Sequence, residues 1–484
     1  MSQEGSDVRM NCLTLAADQL QGRGSQMALW TEDDGPVSFE EMAVLTRRAQ
    51  AMLRRHGIGP GDHVLLFTLP GPRLYAMIMG ILGLGATVML VEPWMPIERV
   101  DHVVRTTKPK AFYAGWIGRL WGWRIKAIRE IPIHLGLKAF DAEPPVETLV
   151  IEPCRGDERG IVTFSSGTSA APKGVVRTQQ YLDDITHIIN KYEPPDPQGR
   201  PDLCLFANLA TLHLANGRAA LIVPHHWKKK SLAKMSALAE AYQPVTMTCG
   251  PAFLRHLLET PEAPFAKLEH IGIGGALTPN ALFEQAFARW PDAKFTHIYG
   301  GSEVEPVAHC DAREAVAQSK ARGLFHTLYV GHIIEELAVD MADEKGPWVA
   351  GPNVCPEYVG ANDENKKYKR RDEQGRLWHF MGDRLEKTGE GYFYAGRSFQ
   401  EPRIFALEEK LHAHLNRDKF FLHRDDKGTL CVIGEGVTAD MGTIQAVAPE
   451  VQRSFDVTLT VDRRHRARID RAHALGKAEK WLAG

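Results

Sequence analysis

Hydrophobic and polar positions follow two alternating rhythms along this chain. Helical spacing marks residues 38–55, where Ser38-Phe39-Glu40-Glu41 makes a capping box ahead of an amphipathic run ending at Arg55. A turn at Gly59-Pro60-Gly61-Asp62 then leads into the β-prone run 63–68. The unit recurs as a helix near 74–83, a strand at 86–91, a break at 93–96 and a helix over 97–107. Further strand runs stand at 161–164, 221–223, 268–273 and 295–299. Such alternation predicts an α/β fold with mainly parallel sheets flanked by helices, and ligands at the carboxyl ends of strands. The apolar stretch 74–91 is interrupted by three glycines and reads as core, so no transmembrane segment is expected.

Two regions break the rhythm. Residues 342–371, rich in charge, Pro, Gly and Asn, read as irregular surface structure, with the basic run 366–371 as a solvated face. In residues 116–129, Trp116, Trp121 and Trp123 interleave with Arg119, Arg124, Lys126 and Arg129. That mix suits either an interfacial membrane helix or a helix whose tryptophans cap a pocket. Its shortness, with Gly118 and Gly122, favours the pocket-capping reading.

Composition narrows the function classes. The 484 residues, 44% of them hydrophobic, exceed one simple domain. Lys and Arg number 58 against 60 Asp and Glu, so no global field favours nucleic acid. Seven scattered cysteines without C-x-x-C pairs, behind a polar N-terminus, suggest a reduced, cytoplasmic protein without a structural zinc site. His225-His226, and His412 with His414, lack metal-binding context.

Three clusters carry chemistry. Behind the strand run 161–164 comes Ser165-Ser166-Gly167-Thr168-Ser169-Ala170-Ala171-Pro172-Lys173-Gly174, a loop of small hydroxyl residues closed by a lysine. Its backbone N–H groups and hydroxyls suit a phosphate, and Lys173 adds a mobile charge. The spacing departs from the Walker pattern. Next, Tyr299 precedes Gly300-Gly301-Ser302-Glu303, putting an aromatic face and a carboxylate at a strand's end, apt for a purine and a Mg²⁺ ion. The third is Met381-Gly382-Asp383 ahead of Gly396-Arg397, where an Asp would accept from ribose hydroxyls. Each has a plainer structural alternative: Tyr299 as core, Glu303 as a cap neighbour, Asp383 and Arg397 as a salt bridge.

Taken in order, the clusters resemble the adenylate-forming superfamily of acyl-CoA synthetases, luciferases and peptide-synthetase adenylation domains, over nearly the whole chain. Residues 165–174 match its Thr-Ser-Gly-Thr-Thr-Gly-x-Pro-Lys-Gly, residues 299–303 its Tyr-Gly-x-Thr-Glu, and residues 381–383 its Thr-Gly-Asp. Within it, Tyr-Gly-Gly-Ser-Glu followed by Pro306-Val307, residues 375–383 and Val461-Asp462-Arg463-Arg464-His465 look most like the β-lactone synthetases of bacterial olefin pathways. The resemblance implies ATP and Mg²⁺ as cofactors and a carboxylic, fatty acyl substrate. It places Thr168 and Glu303 on the metal, and Ser165, Ser166, Gly167, Thr168, Ser169 and Lys173 around the phosphates. Gly274, Gly275, Ala276, Tyr299, Gly300 and Ser302 would line the adenine site, Asp383 and Arg397 the ribose. His213 falls where relatives place a histidine near the acyl pocket; a satisfied core histidine is the equal alternative.

Three departures from the pattern matter. Ala170 replaces a loop glycine. The family's catalytic lysine aligns with Arg468, a forked cation in place of a compact one, with Lys477 as a stand-in. Finally, only residues 398–402 separate Arg397 from Arg403-Ile404, where relatives carry a longer loop that lines the thiol's entry path. The expected organisation is a large domain, 1–396, and a lid, 397–484. The expected reaction is acyl-AMP formation followed by closure of a β-lactone. Transfer to coenzyme A or a carrier protein is the alternative, and a non-catalytic binding protein a third.

Overall fold

Two large sheets carry the molecule, and each has a parallel centre with antiparallel margins. The computed structural model describes residues 9–92, 94–164, 173–224, 227, 229–260, 265–461 and 469–482. In the seven-stranded sheet, Arg159–Phe164, Thr87–Val91, His63–Phe67, Ala111–Ala114 and Ile133–Gly136 run parallel in that spatial order. Gly174–Thr178 and then Tyr358–Val359 add antiparallel strands at one margin. The eleven-stranded sheet centres on parallel strands that include Asp202–Cys204, Thr246–Cys249, His270–Gly274 and Lys294–Gly301. Beyond these the chain turns back through Val304–Asp311, Tyr329–Ile333, Gly391–Arg397 and Asp383–Thr388, all antiparallel. Antiparallel pairing is thus more extensive than the alternating pattern predicts, because tight hairpin turns join Lys294–Gly301 to Val304–Asp311 and Asp383–Thr388 to Gly391–Arg397.

The capping box forms as predicted: the Ser38 side chain accepts from the Glu41 N–H while Glu41 reaches back to the Ser38 N–H, starting the helix Phe39–Arg55. The helix Pro72–Gly83 is buried almost all round, which accounts for its unbroken apolar character. It packs so closely on the first helix that a Cβ at Gly80 would stand 2.8 Å from the Ala49 Cβ. The helix Ile97–Thr107 occupies the predicted residues.

Residues 342–371 are more ordered than their composition suggests. Trp348–Ala350 and Lys369–Arg371 join a four-stranded sheet with Ala338–Asp340 and Leu377–Phe380. Asn362–Tyr368 is a helix, and Tyr358–Val359 closes the seven-stranded sheet. Polar composition misled here because short antiparallel strands need only alternate contacts to be held.

From Pro402 onward a separate core forms. Helix Pro402–Leu415 packs with Met441–Val447 over a three-stranded sheet, around Leu411, Phe420, Val432, Ile444 and Val451. A buried hydrogen-bonded pair ties it to the larger unit: His326 Nδ1 lies 2.6 Å from Glu409 Oε1, and the His326 backbone N–H donates to Glu409 Oε2 at 3.1 Å. His412 is buried there between the rings of His326 and Phe420, consistent with a structural role.

Candidate active site

Strand Arg159–Phe164 and strand Gly174–Thr178 pair with Phe164 opposite Gly174, so the loop of small hydroxyl residues is the connection between them. Ser165, Ser166, Gly167, Thr168 and Ser169 lie outside the described residues, as does Arg468. Lys173 is described, and Gly174 beside it is obligatory: a Cβ there would come within 2.5 Å of the Phe164 ring. The Lys173 ammonium stands 3.7 Å from Glu303 Oε1, 4.5 Å from the centre of the Tyr358 ring and 5.2 Å from that of Tyr368.

Glu303 owes its position to a tight hairpin. Strands Lys294–Gly301 and Val304–Asp311 close on the pair Gly301 and Val304, leaving Ser302 and Glu303 as the two turn residues. Arg177, buried beneath, donates to the Ser302 carbonyl at 3.0 Å and to Thr163 Oγ1 at 2.8 Å. The hairpin is therefore pinned to the strand that feeds the loop. Tyr358 donates its hydroxyl to Glu303 Oε1 at 2.8 Å.

Burial works to raise the Glu303 pKa, yet the group sits below the usual carboxylate range because His379, Lys173, the Tyr358 hydroxyl and Lys369 together outweigh that cost. Burial and the charge of Lys369 in turn push His379 down to about 3. Lys369 is pushed down to about 8 by burial, against the pull of Glu303. Its Nζ donates to the Cys355 carbonyl and lies 5.3 Å from the Tyr358 ring centre. The basic run 366–371 is therefore not uniformly solvated: Lys369 turns inward as a second cation near Glu303. Sequence reading missed both Lys369 and Tyr358, because neither belongs to a motif and both fall in the stretch taken as irregular.

The second cluster meets on adjacent strands. Asp383 and Arg397 are register partners across the hairpin of Asp383–Thr388 and Gly391–Arg397, and Arg397 donates to Asp383 Oδ1 at 2.8 Å. Tyr299 donates its hydroxyl to Asp383 Oδ2 at 2.7 Å. Burial and the Asp383 carboxylate hold the Tyr299 hydroxyl well above its ordinary pKa, so it stays protonated and a donor. Gly274 pairs with Ile298, the residue before Tyr299, and a Cβ on Gly274 would stand 2.7 Å from the Ile298 carbonyl oxygen. Gly275 follows with φ of +86°, in the left-handed region that favours glycine. Gly300 is also confined: a Cβ there would stand 3.0 Å from the Val304 carbonyl oxygen.

His213 stands apart. Its Nδ1 is 3.9 Å from Asp202, which is clamped by Arg218 through two contacts of 2.7 Å. Asp202 starts its strand in register with Thr246, His270 and Lys294, about 16 Å in strand rise before Tyr299. The structure thus seats His213 toward the amino ends of the strands, buried, neutral and pushed down to about 4 by burial, and does not bring it to Tyr299 or Glu303. Lys477 donates to the Thr458 carbonyl at 3.1 Å within the C-terminal unit.

The arrangement sets a cation-ringed carboxylate beside a loop suited to phosphates, and an aromatic and carboxylate pocket suited to a nucleoside on the next strands. Comparisons with known proteins agree. The model of the family described as AMP-binding enzyme matches residues 17–378, well over half of the chain. An olefin β-lactone synthetase of Xanthomonas campestris pv. campestris is 25% identical over 430 residues, 81% of this chain and 74% of that protein. Among solved structures, the anthranilate CoA ligase AuaEII in complex with anthranoyl-AMP superposes with a TM-score of 0.80 at 14% identity, covering 100% of both chains. ATP-bound MatB of Rhodopseudomonas palustris gives a TM-score of 0.78 at 15% identity, covering 98% of this chain and 100% of that one. The chain belongs to the AMP-binding enzymes and is an ATP-dependent, adenylate-forming enzyme acting on a carboxylic acid.

Proposed function

We propose that this enzyme adenylates a 3-hydroxy fatty acid and then closes it to a β-lactone. A carboxylate oxygen attacks the α-phosphorus of ATP and pyrophosphate leaves; the substrate's own 3-hydroxyl oxygen then loses its proton and bonds to the acyl carbon, the acyl C–O bond to the phosphate breaks, and AMP leaves carrying the former carboxylate oxygen. Lys173, helped by Lys369, faces the departing pyrophosphate, and Asp383 with Tyr299 holds the nucleoside. Glu303, with Thr168, would hold Mg²⁺. Among the described residues no group of three or more His, Cys, Asp and Glu side chains is arranged for a metal, and no hydrogen bond reaches Glu303 Oε2. One carboxylate is the donor set expected of a magnesium ion shared with phosphate oxygens. When bound, that ion would neutralise charge growing on the leaving group. Arg468 would supply a fixed positive charge near the α-phosphate.

One observation carries the second half of the reading. Between Arg397, which ends the large sheet, and the helix Pro402–Leu415 the chain has only residues 398–401, and Arg384 straps them down by donating to the carbonyls of Arg397 at 2.8 Å, Ser398 at 2.6 Å and Gln400. So short and tethered a connector supports a division into a large domain, 1–396, and a lid, 397–484, and leaves little chain to line a thiol's path. An internal hydroxyl needs no such path and gains from its tethering to the activated carbonyl.

The ligase reading, with coenzyme A or a carrier protein as acceptor, draws on the likeness to AuaEII. Incubation with ATP, Mg²⁺ and matched 3-hydroxy and unsubstituted fatty acids, with and without coenzyme A, separates the two by mass spectrometry of the products. Lactone and AMP from the hydroxy acid alone support our reading. Efficient acyl-coenzyme A formation from the unsubstituted acid overturns it.

A further inference from the structure

The helix Trp116–Trp123 is built inside out. Its small residues face the protein: a Cβ on Gly118 would lie 2.6 Å from both the carbonyl oxygen and the ring of Phe67, and one on Gly122 would lie 3.1 Å from the Phe112 ring. The glycines sit one turn apart and bring the helix down onto the ends of strands His63–Phe67 and Ala111–Ala114. Trp121 fills the remaining contact, stacked on Phe67 with ring centres 4.3 Å apart. The large residues are thereby turned to solvent. Trp116, Ile117, Leu120 and Trp123 are between 57% and 74% exposed, and Leu69, two residues beyond Phe67, is 65% exposed. Trp116 and Trp123 are turned to solvent, where the sequence pattern predicts rings capping a pocket; the two glycines are what free them.

Around this apolar face the charge is mainly positive. Residues 116–129 contain Arg119, Arg124, Lys126 and Arg129, all exposed, and no acid. The nearest carboxylates are engaged elsewhere: Asp101 accepts from Arg105 at 2.6 Å and from the Ala127 N–H, and Glu130 accepts from Arg105 at 3.2 Å while lying 3.9 Å from Lys126. Arg129 folds back to donate to the Trp123 carbonyl at 2.8 Å. Tryptophans and aliphatic side chains on one side, rimmed by exposed cations, are the chemistry of a bilayer's headgroup region, where indole rings settle and basic residues meet lipid phosphates.

We propose that this helix face docks the enzyme on an anionic lipid bilayer as a peripheral attachment. Among the described residues no helix is long and apolar enough to cross a membrane, so the contact is interfacial. The helix leaves the carboxyl end of strand Ala111–Ala114, the same edge from which strand Arg159–Phe164 leads to Lys173, three strands and about 14 Å away. Docking would therefore bring the adenylation site close to the lipid surface. The docking itself does not depend on which acid is activated.

The test is co-sedimentation of the full chain with phosphatidylcholine vesicles, with and without about one third phosphatidylglycerol. We expect binding to the anionic vesicles that weakens with added salt. The double exchange Trp116→Ser with Trp123→Ser should lower the partition coefficient about tenfold or more, and Arg124→Glu with Lys126→Glu should abolish the preference for anionic lipid. All four side chains are exposed, so adenylation of a water-soluble acid should persist in both variants and reports that they are folded. The proposal is overturned if the wild type sediments with neither vesicle, or if the tryptophan variant binds as well as the wild type. It is equally overturned if the patch proves to be covered by a second copy, seen as a dimer in sedimentation equilibrium that the tryptophan exchanges dissociate.

Discussion

On the proposed assignment, the two ends of the nucleotide site are built on opposite terms. At the nucleoside end the polar groups already satisfy one another: Tyr299 and Arg397 donate to the two oxygens of Asp383 at 2.7 and 2.8 Å. At the phosphate end the cations are less closely paired with the carboxylate. Lys173 stays 3.7 Å from Glu303, cushioned on two aromatic rings, and a second lysine, Lys369, is kept close despite the cost of its burial. A closed hydrogen-bonded triad is rigid and contributes equally before and during reaction. Under-neutralised cations beside one carboxylate are poised for charge that arrives with the substrate and grows in the transition state. On that assignment, binding and rate are divided between the two ends.

That division can be broken, most severely at the phosphate end. Lys173→Ala and Glu303→Ala should each lower the adenylation rate by about two to three orders of magnitude, read by ATP–pyrophosphate exchange, with little change in thermal midpoint. Near wild-type exchange in either variant would remove these residues from the leaving-group site.

Asp383→Ala should act on binding, raising the KM for ATP by about one to two orders of magnitude while kcat changes several-fold less. If the wild type uses 2′-deoxy-ATP as well as ATP, Asp383 does not hold the ribose and the contrast between the ends fails.

Lys369 sharpens the contrast through pH. Its pKa of about 8 means the cation is present below that pH and is lost as pH rises through it. The adenylation rate should therefore fall above pH 8 by about tenfold, and Lys369→Arg, charged throughout, should lose that limb of the profile. The same lysine is a base with a depressed folded pKa, so the unfolded chain binds more protons between pH 8 and its ordinary value of 10.5. This group's contribution to stability consequently rises with pH over that window, opposite to the rate. A rate and a melting midpoint that fall together there would assign the loss to unfolding.

The smallest effect is expected at His213. Exchange for Asn should leave the KM for the acid within about threefold, because the ring packs beside Asp202 and Arg218, remote from Tyr299. A tenfold rise in that KM alone would return His213 to the acyl pocket.

How much of this was legible beforehand differs by region. The capping box at Ser38, the helix Ile97–Thr107 and the run ending at Gly274-Gly275 follow from spacing and turn chemistry, which act within a few residues. Glu303, Asp383 and Lys173 were likewise marked by short motifs, since a loop that must hold phosphate or ribose needs particular residue types close together. The sequence alone also determined that the fold is α/β and that the chemistry concerns a nucleotide. Only the tertiary structure decided which side chains surround the motifs. Tyr358 and Lys369 reach Glu303 because an antiparallel strand from residue 358 joins the margin of a sheet whose first strand begins at His63, a pairing no local pattern encodes. The same is true of His213, whose neighbourhood is set by strand register, and of the Trp116–Trp123 helix. Periodicity shows that a helix has an apolar side, but which side is buried depends on the surface offered to it. Here the ends of two strands admit only glycine, and the tryptophans are left facing out.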